Sequence, residues 1–498
     1  MQERYLHTLE TIPLTEIVKE EYRNYQIYTL MDRAIPYLQD GLKPGQRRIL
    51  YTLWKNQSKG LMKVSSATGL VLTLHPHGPA SVESAIVNLA QDYTFSNNYP
   101  LIDKKGYFGE RMEPTAAASR YIECKIGEVA KLLLFDDMNQ VQMVPNYDEK
   151  VVEPVCFLPK LPLMLLNGSE GIGTGFSSVI PSFHHKDIVD SMTSFITTGK
   201  AKKLKPYFHL FNNDLDVDKS GKINFHAKFE QIDDSIFMTE IPRNFDSARI
   251  YRHLSKFVES NYLKDFIDAS VDNNIRIELV FKRGATPSLE EVANTIFCST
   301  AMTPNYTLIS ERGVRIFDRP EEIIELFSQQ RLIVVRRRFE LLSEEYTAKI
   351  KQNNEVIRFI KEKHYERATK SKNRKEFVDY LEKQKFTYSD YLADMPIYRM
   401  TLEEVEKRKL MVKEDSEELK RCDKIAKSPK LVQQQLLLEL EEVKTKLTEW
   451  LKKKDKERSE KLKEQEKAEK KKVENARKTK PKQAKLKFDD EDIDDDDE

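Results

Sequence analysis

Residues 320–368, PEEIIELFSQQRLIVVRRRFELLSEEYTAKIKQNNEVIRFIKEKHYERA, contain no proline or glycine after the first position. At 1.5 Å of rise per residue, a helix of that length is a rod of roughly 70 Å. No globular core needs one so long. The stretch therefore predicts a coiled coil or a spacer between two parts of a larger assembly. After FTYSDYLADMPIYRMTLEEVEKRK a second long helical pattern reaches Trp450, interrupted near Ser428–Pro429. The two patterns read as antiparallel partners with a small domain at the far end.

Upstream of the rod the texture changes twice. LTEIVKEEYRNYQIYTLMDRAI spaces its apolar and aromatic residues as a helix does, and Pro36 breaks it. DGLKPGQRRILYTLWKN restarts as a turn followed by a basic helix, and residues 60–135 hold further short helices and the HPHG turn at residues 75–78. FLPKLPLMLLNGSEGIGTGF reads as an extended apolar stretch closing in glycines. From about residue 205 to 318, KINFHAKFEQIDDSIFMTEIP and NNIRIELVFKRG alternate like strands, with the helical SARIYRHLSKFVES between them. The fold class expected is α+β, predominantly α.

The net charge of +1 hides an asymmetry. Residues 451–487 carry 17 Lys/Arg against 7 Asp/Glu, and the closing FDDEDIDDDDE, residues 488–498, carries nine acids and no base. The rest is neutral, so affinity for a polyanion there rests on charge placement, not on excess. The basic arm is either a phosphate-holding segment or a solvated tail masked by the acids after it. Four cysteines, Cys124, Cys156, Cys298 and Cys422, show no CxxC spacing, which argues against a disulfide framework or zinc site and fits a reducing compartment. No run approaches the ~20 apolar residues a membrane span needs, and the N-terminus lacks a signal pattern.

AAASRYIECKI, residues 116–126, sets Arg120 beside Tyr121 behind three alanines and a serine. A free phenol has a pKa near 10, so about one in a thousand is ionised at neutral pH. To attack phosphorus it needs a base, a metal or an adjacent cation, and an arginine can also neutralise a phosphate oxygen as charge builds. The dipeptide alone also fits an ordinary structural pair. HPHG likewise fits a turn with two surface histidines, and no third and fourth ligand stands at zinc spacing. NGSEGIGTGF is neither a Walker loop nor a dinucleotide fingerprint, since no Gly-Lys-Ser/Thr follows and Phe176 stands at the third glycine position.

Taken in order, DGLKPGQRRILY, HPHG, SNNYPLIDKKGYFGER, AAASRYI and LLNGSEGIGTG resemble the DNA breakage-reunion subunit of type IIA topoisomerases. The resemblance continues through TEIP at residues 239–242, the rod and YLADMPIYRMTLEEVEK, covering about residues 20–450. It implies that Tyr121 is the nucleophile, forming a 5′-phosphotyrosine and freeing a 3′-hydroxyl, with Arg120 stabilising the transition state. It implies DNA contacts for Arg33, Lys43, Arg47, Arg48, His75 and His77. Ile172 matches a wedge that enters a base step and bends the duplex, at a cost of a few kcal/mol regained through contacts with bent DNA.

The resemblance also implies an architecture. Residues 1–27 would be an N-terminal arm and 28–158 a winged-helix breakage-reunion domain. Residues 159–318 would be an α/β tower, and 319–450 a coiled-coil stalk with a terminal dimerisation domain. The basic arm, residues 451–487, runs from helical to disordered, and the acidic tail, residues 488–498, is disordered.

No ATPase lid and no metal-carboxylate domain precedes residue 20, and no metal site is expected in this chain. Mg²⁺ and ATP are therefore expected on a partner subunit in a 2+2 heterotetramer, with double-stranded DNA as substrate and no membrane. Gly45–Gln46, SNN and GSEGIGTGF lean toward the eukaryotic and phage branch, closest in character to the medium subunit of large tailed-phage enzymes. The expected activity is relaxation and decatenation in a cytoplasm, that of the bacterial host if phage-encoded. The alternatives are a non-cleaving DNA scaffold and a gyrase-like supercoiling subunit.

Overall fold

The computed structural model describes residues 14–76, 78–282 and 287–478. His77, the start of the N-terminal arm, the end of the basic arm and the acidic tail lie outside them. The chain divides into two compact units, Met1–Lys444 and Thr445–Glu498.

In the first unit residues 14–34 are helical throughout, but two π-helical segments, Val18–Tyr22 and Leu30–Ala34, interrupt the α-helix. Ile35 is extended (φ −106°, ψ 136°), as a residue preceding a proline is pushed to be. The expected break at Pro36 is there; the π turns leave no signature in the apolar spacing.

DGLKPGQRR is a built turn. Asp40 is fully buried and accepts from Leu42 N (3.1 Å), Phe157 N (3.0 Å) and Arg47 Nε (2.6 Å). Pro44 opens helix Pro44–Lys55, where its missing N–H costs nothing. Gln46 Oε1 reaches back to the Lys43 N–H at 3.0 Å. That helix packs on Val64–Leu72 and Pro79–Ala90. Beneath them runs an antiparallel sheet in the order Met62–Lys63, Glu123–Ile126, Ile102–Lys105.

The stretch expected to be extended differs. Leu163–Leu166 forms a helical turn after Pro162 with all four side chains buried. Asn167 then locks the chain, its amide exchanging two 2.8 Å bonds with the Tyr99 backbone. The glycines belong to an antiparallel hairpin, Ser169–Ile172 with Ser177–Ile180.

The strand-like region contains a four-stranded sheet in the order Lys228–Ile232, Ser235–Glu240, Ile277–Val280, Asp265–Asp268. Helix Ser247–Glu259, capped by Asp246, covers it, and Ile236, Met238, Ile250, Leu254 and Ile277 form a core between them.

The rod is a single helix, Pro320–Lys361, of 42 residues, about 63 Å long. It stops short of the breaker-free stretch because Phe359 and Ile360 turn inward with Phe377, Leu381 and Phe386. Closing that cluster demands a bend, taken by left-handed Lys363 (φ 55°) and the turn His364–Lys370. Helix Leu402–Lys427 returns along the rod, with Arg408 Nη1 2.6 Å from Asn353 Oδ1. At the near end Arg331 and Arg338 share Asp137 and Glu439 at 2.6–2.8 Å. Helix Pro429–Lys478 starts where Ser428–Pro429 interrupts the pattern. Its later turns belong to the second unit, where Lys452, Lys453 and Lys456 are exposed.

Candidate DNA-cleavage site

Tyr121 stands at the end of the loop between paired strands Ile102–Lys105 and Glu123–Ile126, just before Glu123 faces Lys105. The loop folds on itself: Ala117 N donates to Tyr107 O at 3.0 Å and Tyr121 N to Ala118 O at 2.9 Å. The first N–H groups of helix Val64–Leu72 hold its end, Val64 N on Ile122 O (3.1 Å) and Ser65 N on Ser119 O (3.4 Å). Alternation then decides exposure. Ile122 is buried, and Tyr121 is 65% exposed.

The Arg120 guanidinium lies 4.6 Å from the Tyr121 ring centroid. A cation so placed can meet an anionic oxygen brought to the phenol. Lys63, which belongs to none of the sequence motifs, donates to Tyr121 O at 3.3 Å and pairs with Glu123 at 2.9 Å. Lys105 lies 3.6 Å from the same carboxylate. The Lys63 hydrogen bond and charge hold the Glu123 carboxyl below its ordinary value. Lys63 stands beside Tyr121 only because its strand pairs with Glu123–Ile126, a register that no local pattern announces.

A second group forms around the glycine hairpin. Ile172 is 89% exposed at its tip. Gly171 and Gly173 press on the π segment Leu30–Ala34: a Cβ at Gly171 would overlap Ala34 O, and one at Gly173 would overlap Leu30 Cδ2. At Gly171, where the overlap is with backbone, only glycine fits that approach. Lys43 Nζ donates to Glu170 O at 2.7 Å, and burial lowers its pKa against the pull of the Glu170 charge. Arg33 is exposed on the same π segment.

The other expected contacts are placed differently. Arg47 is buried with Nε and Nη2 on Asp40 (2.6 and 3.1 Å) and its guanidinium 4.8 Å from the Tyr37 ring centroid. Arg48 pairs with Glu153 through both oxygens, at 2.6 and 3.0 Å. In this conformation Arg47 holds the turn to the helix and is not open to a phosphate, while Arg48 holds that helix to strand Val152–Pro154. His75 is half-buried, its ring centroid 6.0 Å from that of Tyr147.

Residues 33–441 match the family profile for the A-type chain of DNA gyrase/topoisomerase IV. The chain belongs to that family. The match takes in both residue groups and the helix Pro320–Lys361. Among curated relatives, the chain is 28% identical to the mitochondrial DNA topoisomerase 2 of Dictyostelium discoideum, over 71% of this chain and 28% of that one. It is 28% identical to the DNA gyrase A-type chain of Aminobacterium colombiense, over 87% of this chain and 57% of the relative. With the DNA topoisomerase 4 A-type chain of Borreliella burgdorferi the figures are 31%, 59% and 47%. The chain thus spans under two-thirds of each relative's own length.

Among the described residues no cluster of three or more His, Cys, Asp or Glu could hold a metal ion, and no helix is long and apolar enough to cross a membrane. Beside Tyr121 the carboxylate of Glu123 is already engaged by two lysines. Mg²⁺ finds no oxygen-rich seat in that set, as hard divalent cations require.

Proposed function

We propose that this chain is the DNA cleavage-religation subunit of an ATP-dependent type II topoisomerase. The observation that carries the reading is an exposed phenol with its own guanidinium, Tyr121 under Arg120 at 4.6 Å, on a loop pinned by a helix N-terminus. The Tyr121 oxygen attacks a phosphodiester phosphorus. The bond to the 3′-oxygen breaks, the phenol proton is given up, and the 3′-oxygen gains one, leaving a 5′-phosphotyrosine. Arg120 meets the negative oxygens as they develop. One ester is exchanged for another, so resealing needs no ATP. Two copies of Tyr121 cut opposite strands, and a second duplex passes between them.

The helices Pro44–Lys55, Val64–Leu72 and Pro79–Ala90 with their three-stranded sheet are read as the winged-helix gate domain, and the sheets after residue 216 as the tower. At the far end of the stalk Ile397, Tyr398 and Leu402 are 84%, 74% and 79% exposed. An apolar patch of that kind marks a protein contact, and we assign it to a second copy of this chain. Mg²⁺, which supplies charge neutralisation at the phosphate when bound, and ATP are assigned to a partner subunit in a 2+2 assembly acting on DNA in the cytoplasm. Arg33, Lys43, Arg48, His75 and His77 are assigned to the cleaved strand, and Ile172 to the step where the duplex bends.

The test mixes chain, partner subunit, Mg²⁺ and end-labelled duplex, then denatures. Wild type should yield protein-linked DNA and Tyr121→Phe none. Equal, negligible adduct from both would support a non-cleaving scaffold. With ATP and plasmid, relaxation and decatenation are expected. Negative supercoils introduced into relaxed plasmid would instead identify a gyrase-like subunit.

A further inference from the structure

The loop that carries Tyr121 is fastened to a turn in the neighbouring sheet region by Arg111, the last residue of SNNYPLIDKKGYFGER. Arg111 is 4% exposed and forms no ion pair among the described residues. Its Nη1 donates to Phe245 O at 2.9 Å, and its Nη2 to Ile241 O and Pro242 O at 3.0 and 2.9 Å. The Phe95 ring lies 4.8 Å from the guanidinium. Three carbonyls converge on one guanidinium because Asn244 is left-handed, at φ 64°, which asparagine tolerates far better than a β-branched residue does. Met112 O also accepts from Ser247 N at 2.9 Å. A buried guanidinium held this way resists displacement, since every bond lost strands a buried donor.

The same turn carries Arg243, whose side chain pairs with Glu170 in the glycine hairpin. Glu170 lies two positions before Ile172, and its carbonyl is the one that takes the Lys43 ammonium. The turn Ile241–Phe245 therefore touches the nucleophile loop through Arg111 and the wedge hairpin through Arg243.

We propose that the turn Ile241–Phe245 couples the Ile172 wedge to Tyr121, so that insertion of the wedge into a DNA step sets the register of the nucleophile on the scissile phosphate. The inference rests on Tyr121 being the nucleophile and Ile172 the wedge. Arg111 and Arg243 are positioning residues: they act on the loop and the hairpin, not on the phosphate.

A double-mutant cycle tests the coupling, because only a shared link makes two losses non-additive. Full-length chain with its partner subunit, Mg²⁺ and duplex DNA is assayed for covalent adduct at saturating DNA, with DNA affinity and thermal midpoint measured alongside. Ile172→Ala and Arg243→Gln are each expected to lower the adduct fraction about tenfold. The double variant is expected to fall no further than the lower single variant, and Arg243→Lys to recover most of the adduct. On the Arg111 side, Asn244→Gly should keep the adduct, while Asn244→Val should lose it. Losses that multiply to about a hundredfold, or no loss from either single variant, would overturn the coupling while leaving the role of Tyr121 standing. Absence of a Tyr121 adduct from wild type would instead overturn the nucleophile reading.

Discussion

In the proposed reaction, Arg120 is the residue on which the chemistry leans hardest after Tyr121 itself. Its guanidinium is exposed over the phenol ring, so its removal leaves no hole in a core and should leave the fold intact. Arg120→Ala is expected to slow adduct formation by about 10²–10³, the usual cost of deleting one preorganised donor to a developing oxyanion. The thermal midpoint should stay within about 2 °C, the range of an exposed substitution. Single-turnover cleavage and a melting curve on one preparation check both. Gly171 should behave in the opposite way. A methyl there meets the Ala34 carbonyl, so Gly171→Ala is expected to cost about 1–3 kcal/mol by overpacking, read from denaturant unfolding. Tyr121 is singled out as a candidate nucleophile only because its motif stands in order with four others. The burial of Arg47 was not legible, because an arginine in a turn pairs equally well with a phosphate or a carboxylate, and only the fold brings Asp40 to it.

Among the elements, the foot of the long helix shows how a cation-rich segment is anchored. Burial alone would raise the Asp137 carboxyl, but hydrogen bonds and charge from Arg338 and Arg331 outweigh it and hold the group below its ordinary value. A carboxylate so depressed stabilises the fold fully above its unfolded pKa of about 3.9 and loses that contribution as pH falls through the lower folded value. Asp137→Asn should therefore destabilise at neutral pH, by about 3 kcal/mol for breaking a buried pair. The difference from wild type should shrink in unfolding titrations carried below the ordinary aspartate range, as the carboxylate itself protonates. The rod was plain from the absence of proline and glycine. Its end was not, because Lys363 takes a left-handed conformation under the pull of a distal core that closes through residues later in the chain. The π turn at Leu30–Ala34 was equally invisible, since apolar spacing does not distinguish it from an α-helix.

For the molecule as a whole, the reading requires two copies, each supplying one tyrosine. Ile397→Asp with Tyr398→Asp should convert a dimer into a monomer in sedimentation at micromolar concentration without lowering the helical circular dichroism. A dimer that persists would move the contact elsewhere. Membership of the family was legible in the order of motifs, because those motifs are the turns and loops that place the site. The link from loop to hairpin through Ile241–Phe245 was not, since it joins Arg111 to backbone carbonyls and Arg243 to the Glu170 carboxylate, partners distant in the chain. The proposed chemistry comes down to a covalent bond at one oxygen. Adducts trapped on DNA with the partner subunit present should be digested with nuclease and protease and read by mass spectrometry. A nucleotide 5′-phosphate is expected on the peptide containing Tyr121, and a nucleotide on any other side chain, or on none, would rule Tyr121 out as the nucleophile.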